Sequence, residues 1–207
     1  MLFRLAKFVS YFLHPACIPT YLFAVLFFLS PCFMVWSPTI KLYLLAFIFL
    51  GTFCFPVSVT WFLLYSKQIK SFEMVEQTDR RKPFLITTMF YASLAFLFSY
   101  GVFEGTLLSY LMISTALVVC LATILNLYHK VSMHSAGIGA SVGILFALQY
   151  HDNRYELLFP ILVAILLAGI VSSSRLFLLA HKPMEVLTGN LLGIFIGFVS
   201  LIVLLAS

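Results

Sequence analysis

The charged residues of this chain are confined to a few clusters, and between them run stretches of hydrocarbon long enough to cross a lipid bilayer. A spanning helix needs roughly 20 consecutive, mostly apolar residues. Candidate spans cover residues 17–36, 40–65, 84–103, 106–129, 157–179 and 186–206, with a shorter one at 136–150. Of the 207 residues, 63% are hydrophobic and 9% charged, whereas a soluble domain carries about 25% charged residues. So little polar side chain cannot coat a water-facing surface. The chain is also too apolar to be disordered, collagenous or nucleic-acid-binding. The expectation is an all-α, polytopic membrane bundle of six or seven transmembrane helices, one domain over residues 1–207, in the cell (inner) membrane.

Residues 1–13 suit an interfacial lead-in helix, with Arg4 and Lys7 at headgroup depth. His14 and Pro15 interrupt the apolar run that follows and no small-residue cleavage site appears, so a retained helix is expected rather than a cleaved signal. Cys17, Cys32, Cys54 and Cys120 all lie in apolar stretches without paired short spacing, which suggests small core residues rather than a disulfide frame or zinc site.

Counting spans sorts the loops. The N-terminus, the loop 66–83, the junction 130–135 and the loop 180–185 fall on one side. Ten of the 12 Lys and Arg residues lie on or near it: Arg4, Lys7, Lys67, Lys70, Arg80, Arg81, Lys82, Lys130, Arg175 and Lys182. Only Lys41 and Arg154 lie opposite. The positive-inside rule would make the basic side cytoplasmic. If Arg80, Arg81, Lys82, Lys130, Arg175 and Lys182 serve a substrate, the remaining tally is four against two, and sidedness stays open.

Three polar segments share this side. The sharpest runs Ser174-Arg175, five residues, His181, Lys182, Pro183, Met184, Glu185, and on to Gly189. Pro183 suits the first turn of a helix, which places His181 at its mouth and Glu185 about one turn deeper. A carboxylate there can bond one imidazole nitrogen, fix the tautomer and leave the other nitrogen free to attack phosphorus. The second segment is Lys130-Val131-Ser132-Met133-His134-Ser135. The third, Asp79-Arg80-Arg81-Lys82-Pro83, offers guanidinium forks that meet two phosphoryl oxygens at once. It also reads as a juxtamembrane basic cluster on anionic lipid, worth about 1 kcal/mol per charge.

These segments resemble the signature of the type 2 phosphatidic acid phosphatase superfamily, the lipid phosphate phosphatases. The first segment reproduces the family's third motif, with Glu185 where the family has Asp. The second is similar to the Pro-Ser-Gly-His motif through Ser132 and His134, with Val131 and Met133 departing. The third departs most, because Val75 stands where the family has Lys. The resemblance implies a metal-free hydrolase without a cofactor. His181 would form a phosphohistidine, Glu185 would orient it, and His134 would protonate the leaving oxygen. Arg175, one or more of Arg80, Arg81 and Lys82, with Lys130 and Ser132, would hold the phosphoryl oxygens. The implied partners are a lipid phosphate or polyprenyl diphosphate and the surrounding lipids, not nucleic acid. The alternative is a catalytically inactive, lipid-binding or transporting protein of the same fold. His14, His129 and His151 have no acidic partner at metal-ligand spacing.

Overall fold

A computed structural model describes all residues except 72, 73, 75, 153, 154 and 207, and the side chains of all of these except 102, 152 and 155. Val75 and Arg154 therefore lie outside the described residues.

The described residues form eight α-helices and no strand: α1 Leu2–Phe12, α2 Ile18–Leu29, α3 Pro38–Tyr65, α4 Gln77–Phe98, α5 Leu107–Tyr128, α6 Met133–Asp152, α7 Leu158–Phe177 and α8 Pro183–Ala206. Helix α3 is continuous through one wide π turn, Leu50–Cys54. Four helices, α3, α5, α7 and α8, are long and apolar enough to cross a membrane. The expected count of six or seven is thus met only in part. Helix α2 is apolar but has 12 residues, about 18 Å at 1.5 Å per residue, against a hydrocarbon core near 30 Å. Helix α4 starts before its apolar run. Residues 79–83, read from sequence as lying just ahead of a span, occupy its first two turns, and Pro83 sits within the helix.

Large apolar side chains such as Phe62, Met89, Phe159, Leu166 and Phe195 face outward, as expected where the surrounding solvent is lipid. Inside, Phe23, Leu26, Phe27, Leu108, Leu111, Ile144 and Leu201 form the main core.

The closest packing joins α6 to α8, and small residues make it. Gly189, Gly193 and Gly197 repeat every fourth residue, so they form one stripe along α8. A Cβ at Gly189 would lie 2.6 Å from the Ser132 carbonyl oxygen, and one at Gly197 would lie 2.8 Å from that of Ala140. At Gly193 it would run into the Ala136 carbonyl. From the facing side, Gly139 and Gly143 of α6 meet the backbone at Asn190 and Ile194. Small residues spaced this way let two helix backbones touch in a membrane. The N-terminal ends of α6 and α8 are thereby held side by side.

Candidate active site

Just past the end of α7, Leu179 takes the left-handed region, at φ 51°, while Leu178 bonds back to Ser174 and Ala180 to Arg175. This turn brings the chain round into His181 and the start of α8. Pro183 opens that helix, and the N–H groups of Glu185 and Val186 donate to the Lys182 carbonyl. His181 and Glu185 are four residues apart, which puts them on one face of the turn. The His181 Nδ1–H donates to Glu185 Oε2 at 2.7 Å, and both residues are buried. With its proton on Nδ1, the neutral ring carries its lone pair on Nε2.

Cations surround this pair. Lys130 Nζ lies 3.8 Å from Glu185 Oε2 and donates to the Ala180 carbonyl at 3.2 Å. Burial holds the His181 imidazole well below its usual range; the Glu185 bond opposes this, and Arg80, Arg175 and Lys130 add to it. The ring is therefore neutral near pH 7, as a nucleophile must be. Burial also lowers the Lys130 ammonium, with Arg80, Arg175 and Lys182 acting in the same direction and Glu185 against them.

Arg80 is buried, and its Nε–H donates to the Met74 carbonyl at 2.7 Å. Its charge acts on His181 and Lys130. Successive residues of a helix point about 100° apart, so Arg81 and Lys82 diverge from it. Both are exposed, and Lys82 Nζ donates to Gln68 Oε1 at 2.8 Å. Of the three basic residues, Arg80 is the one directed inward to the site.

The second segment joins the first through the backbone. Ser132 is fully buried, and its N–H donates to the Glu185 carbonyl at 3.1 Å. Its hydroxyl oxygen accepts from the Ser135 N–H at 3.4 Å and from the Ser135 hydroxyl at 3.1 Å. Ser132 thus serves as an N-cap for α6. His134, in the first turn of α6, is in the electrostatic reach of Arg175 and His181. Its Nε2–H donates to the Ser10 carbonyl at 3.0 Å.

Other contributors were not singled out from the sequence. Asn126 Nδ2 donates to the Val131 carbonyl at 3.1 Å, and the Asn126 carbonyl accepts from Gln77 Nε2 at 2.8 Å. These bonds tie the start of α4 to the Lys130 junction. The glycine stripe carried a readable signal, the four-residue spacing of Gly189, Gly193 and Gly197. Ser10 and His14 carried none, since their contacts to His134 span more than a hundred residues. Among the described residues, no three His, Cys, Asp or Glu side chains gather as a metal-binding group.

An all-helical integral membrane protein with this polar cluster at its helix ends is the class defined by fold and site. Residues 128–206, which hold Lys130, Ser132, His134, Arg175, His181 and Glu185, match the family model of the PAP2 superfamily. The match is consistent with a member of that superfamily and supports a phosphatase-type function. Neither the curated proteins nor the solved structures gave a match to this chain.

Proposed function

We propose that the protein is a metal-independent membrane phosphatase that removes the phosphate of a lipid phosphomonoester or diphosphate. The observation carrying this reading is the buried His181–Glu185 pair, bonded at 2.7 Å, on which the charges of Arg80, Arg175 and Lys130 act.

In the proposed reaction, the Nε2 lone pair of His181 attacks phosphorus and forms an N–P bond while the bond to the leaving oxygen breaks. That oxygen takes the Nδ1 proton of His134, a ring that burial keeps neutral before substrate binds and that takes up this proton together with the anionic phosphate. Water then attacks the phosphohistidine and gives a proton to His134, the N–P bond breaks, and inorganic phosphate departs. Glu185 stabilises the positive charge that develops on His181 during attack. Arg80, Arg175 and Lys130 stabilise the charge on the equatorial phosphoryl oxygens, the main task in phosphoryl transfer. Arg81 and Lys82 are assigned to the approach of anionic headgroups, and Ser132 to holding the backbone beneath them.

The substrate is taken to be amphiphilic because the polar cluster lies at the ends of apolar helices. A headgroup can reach His181 while its tail stays in lipid. The test is phosphate release by the purified protein from a panel of lipid phosphates with EDTA present. Release that is lost in His181→Ala supports the reading. No release from any lipid phosphate, or release unchanged in His181→Ala, overturns it.

A further inference from the structure

The N-terminal segment formed by α1, the turn at His14 and α2 lies outside the residues that match the PAP2 superfamily, yet it touches the second histidine of the site. Helix α1 packs on α7 and buries Ala6 and Ser10. From it the Ser10 carbonyl accepts a hydrogen bond from His134 Nε2 at 3.0 Å. A carbonyl oxygen can only accept, so Nε2 carries a proton that stays in place, and Nδ1 is the nitrogen left for chemistry: it gives a second proton to the leaving oxygen and takes one back from water. The Ser10 carbonyl therefore does for His134 what the Glu185 carboxylate does for His181: it occupies one nitrogen and decides which nitrogen is left to react.

One hydrogen bond leaves an imidazole free to swing about that bond. The His14 ring closes this freedom. It meets the His134 ring edge-on, with centroids 5.7 Å apart and an interplanar angle of 76°. On another side it meets Phe53 at 5.9 Å and 83°. The Ala16 N–H donates to His14 Nδ1 at 3.3 Å, which sets the His14 ring in turn.

We propose that His14 is a positioning residue for His134: its ring, with the Ser10 carbonyl, holds the imidazole that protonates the leaving group, and the N-terminal segment is thereby a third wall of the site. This rests on the phosphatase reading above. Burial, with the nearby charge of Arg175 adding to it, pushes His14 down to about 4, so the bracing ring is neutral at pH 7. The plainer role for His14 is a turn cap acting through Nδ1 alone. An Asn side chain can supply that acceptor without a ring.

The full-length protein is compared with His14→Asn and His14→Phe on two substrates of equal tail length, an alkyl phosphate and an aryl phosphate. A poor alkyl leaving group needs the acid, and a good aryl one needs it far less. Asn keeps the bond to Ala16 and loses the ring. It is expected to lower kcat on the alkyl phosphate about tenfold, with KM within about twofold and the aryl rate within about threefold, the scale of a misplaced catalytic group. Phe keeps an edge-on ring and is expected to hold the alkyl-to-aryl rate ratio within about threefold of wild type. The ratio is measured within one sample, so it does not depend on the fraction of variant that folds. An unchanged ratio in His14→Asn, or a ratio that falls equally in His14→Phe, overturns the proposal. If wild type and His181→Ala release no phosphate from either substrate, the phosphatase reading itself falls.

Discussion

Ser132 donates its backbone N–H to the carbonyl oxygen of Glu185 at 3.1 Å, and this bond fastens the His134 segment to the His181 segment across the α6–α8 contact. Next to it, Gly189 leaves room for the Ser132 carbonyl. The two histidines assigned to attack and proton transfer thus belong to one backbone unit.

Filling the glycine stripe should separate the two histidine segments. Gly189→Ala places a Cβ 2.6 Å from the Ser132 carbonyl oxygen, and backbone cannot yield as a flexible side chain can. A cost of about 1–3 kcal/mol is expected from overpacking, together with loss of turnover. Gly169→Ala, where a Cβ meets nothing within 4 Å, is the matched control and should change neither. Thermal unfolding in detergent and phosphate release from the two variants check this.

Glu185→Gln should cost more activity than Glu185→Asp. The amide keeps an acceptor for His181 Nδ1 but loses the charge that stabilises an imidazolium, whereas Asp keeps the charge on a shorter arm. If Glu185 only favoured the N-terminus of α8, its charge would be worth about 0.3–1 kcal/mol and both variants would stay near wild type. Turnover of the two proteins at matched folding decides between these.

The basic cluster should divide by direction, not by charge. Arg80→Ala removes a buried guanidinium whose charge reaches His181, and a loss of kcat of about 10²–10³ is expected, as for other groups that stabilise a transition-state oxyanion. Lys82 is exposed and bonded to Gln68. Lys82→Ala should stay within about threefold, as befits an exposed interaction worth under about 1 kcal/mol.

The site is only partly readable from sequence. His181, Pro183 and Glu185 are local, so a helix start and a four-residue spacing define their geometry before any fold is known. The apolar runs likewise mark the helices. Where α4 begins was missed, because its charged first turns are stabilised from outside, by Gln77 on the Asn126 carbonyl and Arg80 on the Met74 carbonyl. Which of Arg80, Arg81 and Lys82 faces inward depends on the phase of that helix. His14 and Ser10 enter the site through contacts that only the packing of α1 against α7 creates.

The pH dependence should follow the neutral form of His181. Burial, aided by Arg80, Arg175 and Lys130, lowers this imidazole from its ordinary value despite the Glu185 bond. Protonation blocks attack, so on an aryl phosphate, which needs the His134 proton far less, kcat/KM should hold as pH falls through 6.5, the ordinary histidine value, and decline only below it. The same shift acts on stability. Below about 6.5 the unfolded chain binds a proton that the folded site refuses, so stability falls as pH drops through the window between the two values. An acid limb at or above 6.5 in the activity profile would contradict the neutral assignment.

The most direct test of the central claim is rapid acid-free quenching of the protein during turnover of a radiolabelled lipid phosphate in EDTA, followed by mapping of the phosphorylated residue. An acid-labile, alkali-stable phosphoryl group is expected on His181 and is absent from His181→Ala. Turnover without any such group on His181, or with the label on another residue, would contradict that claim.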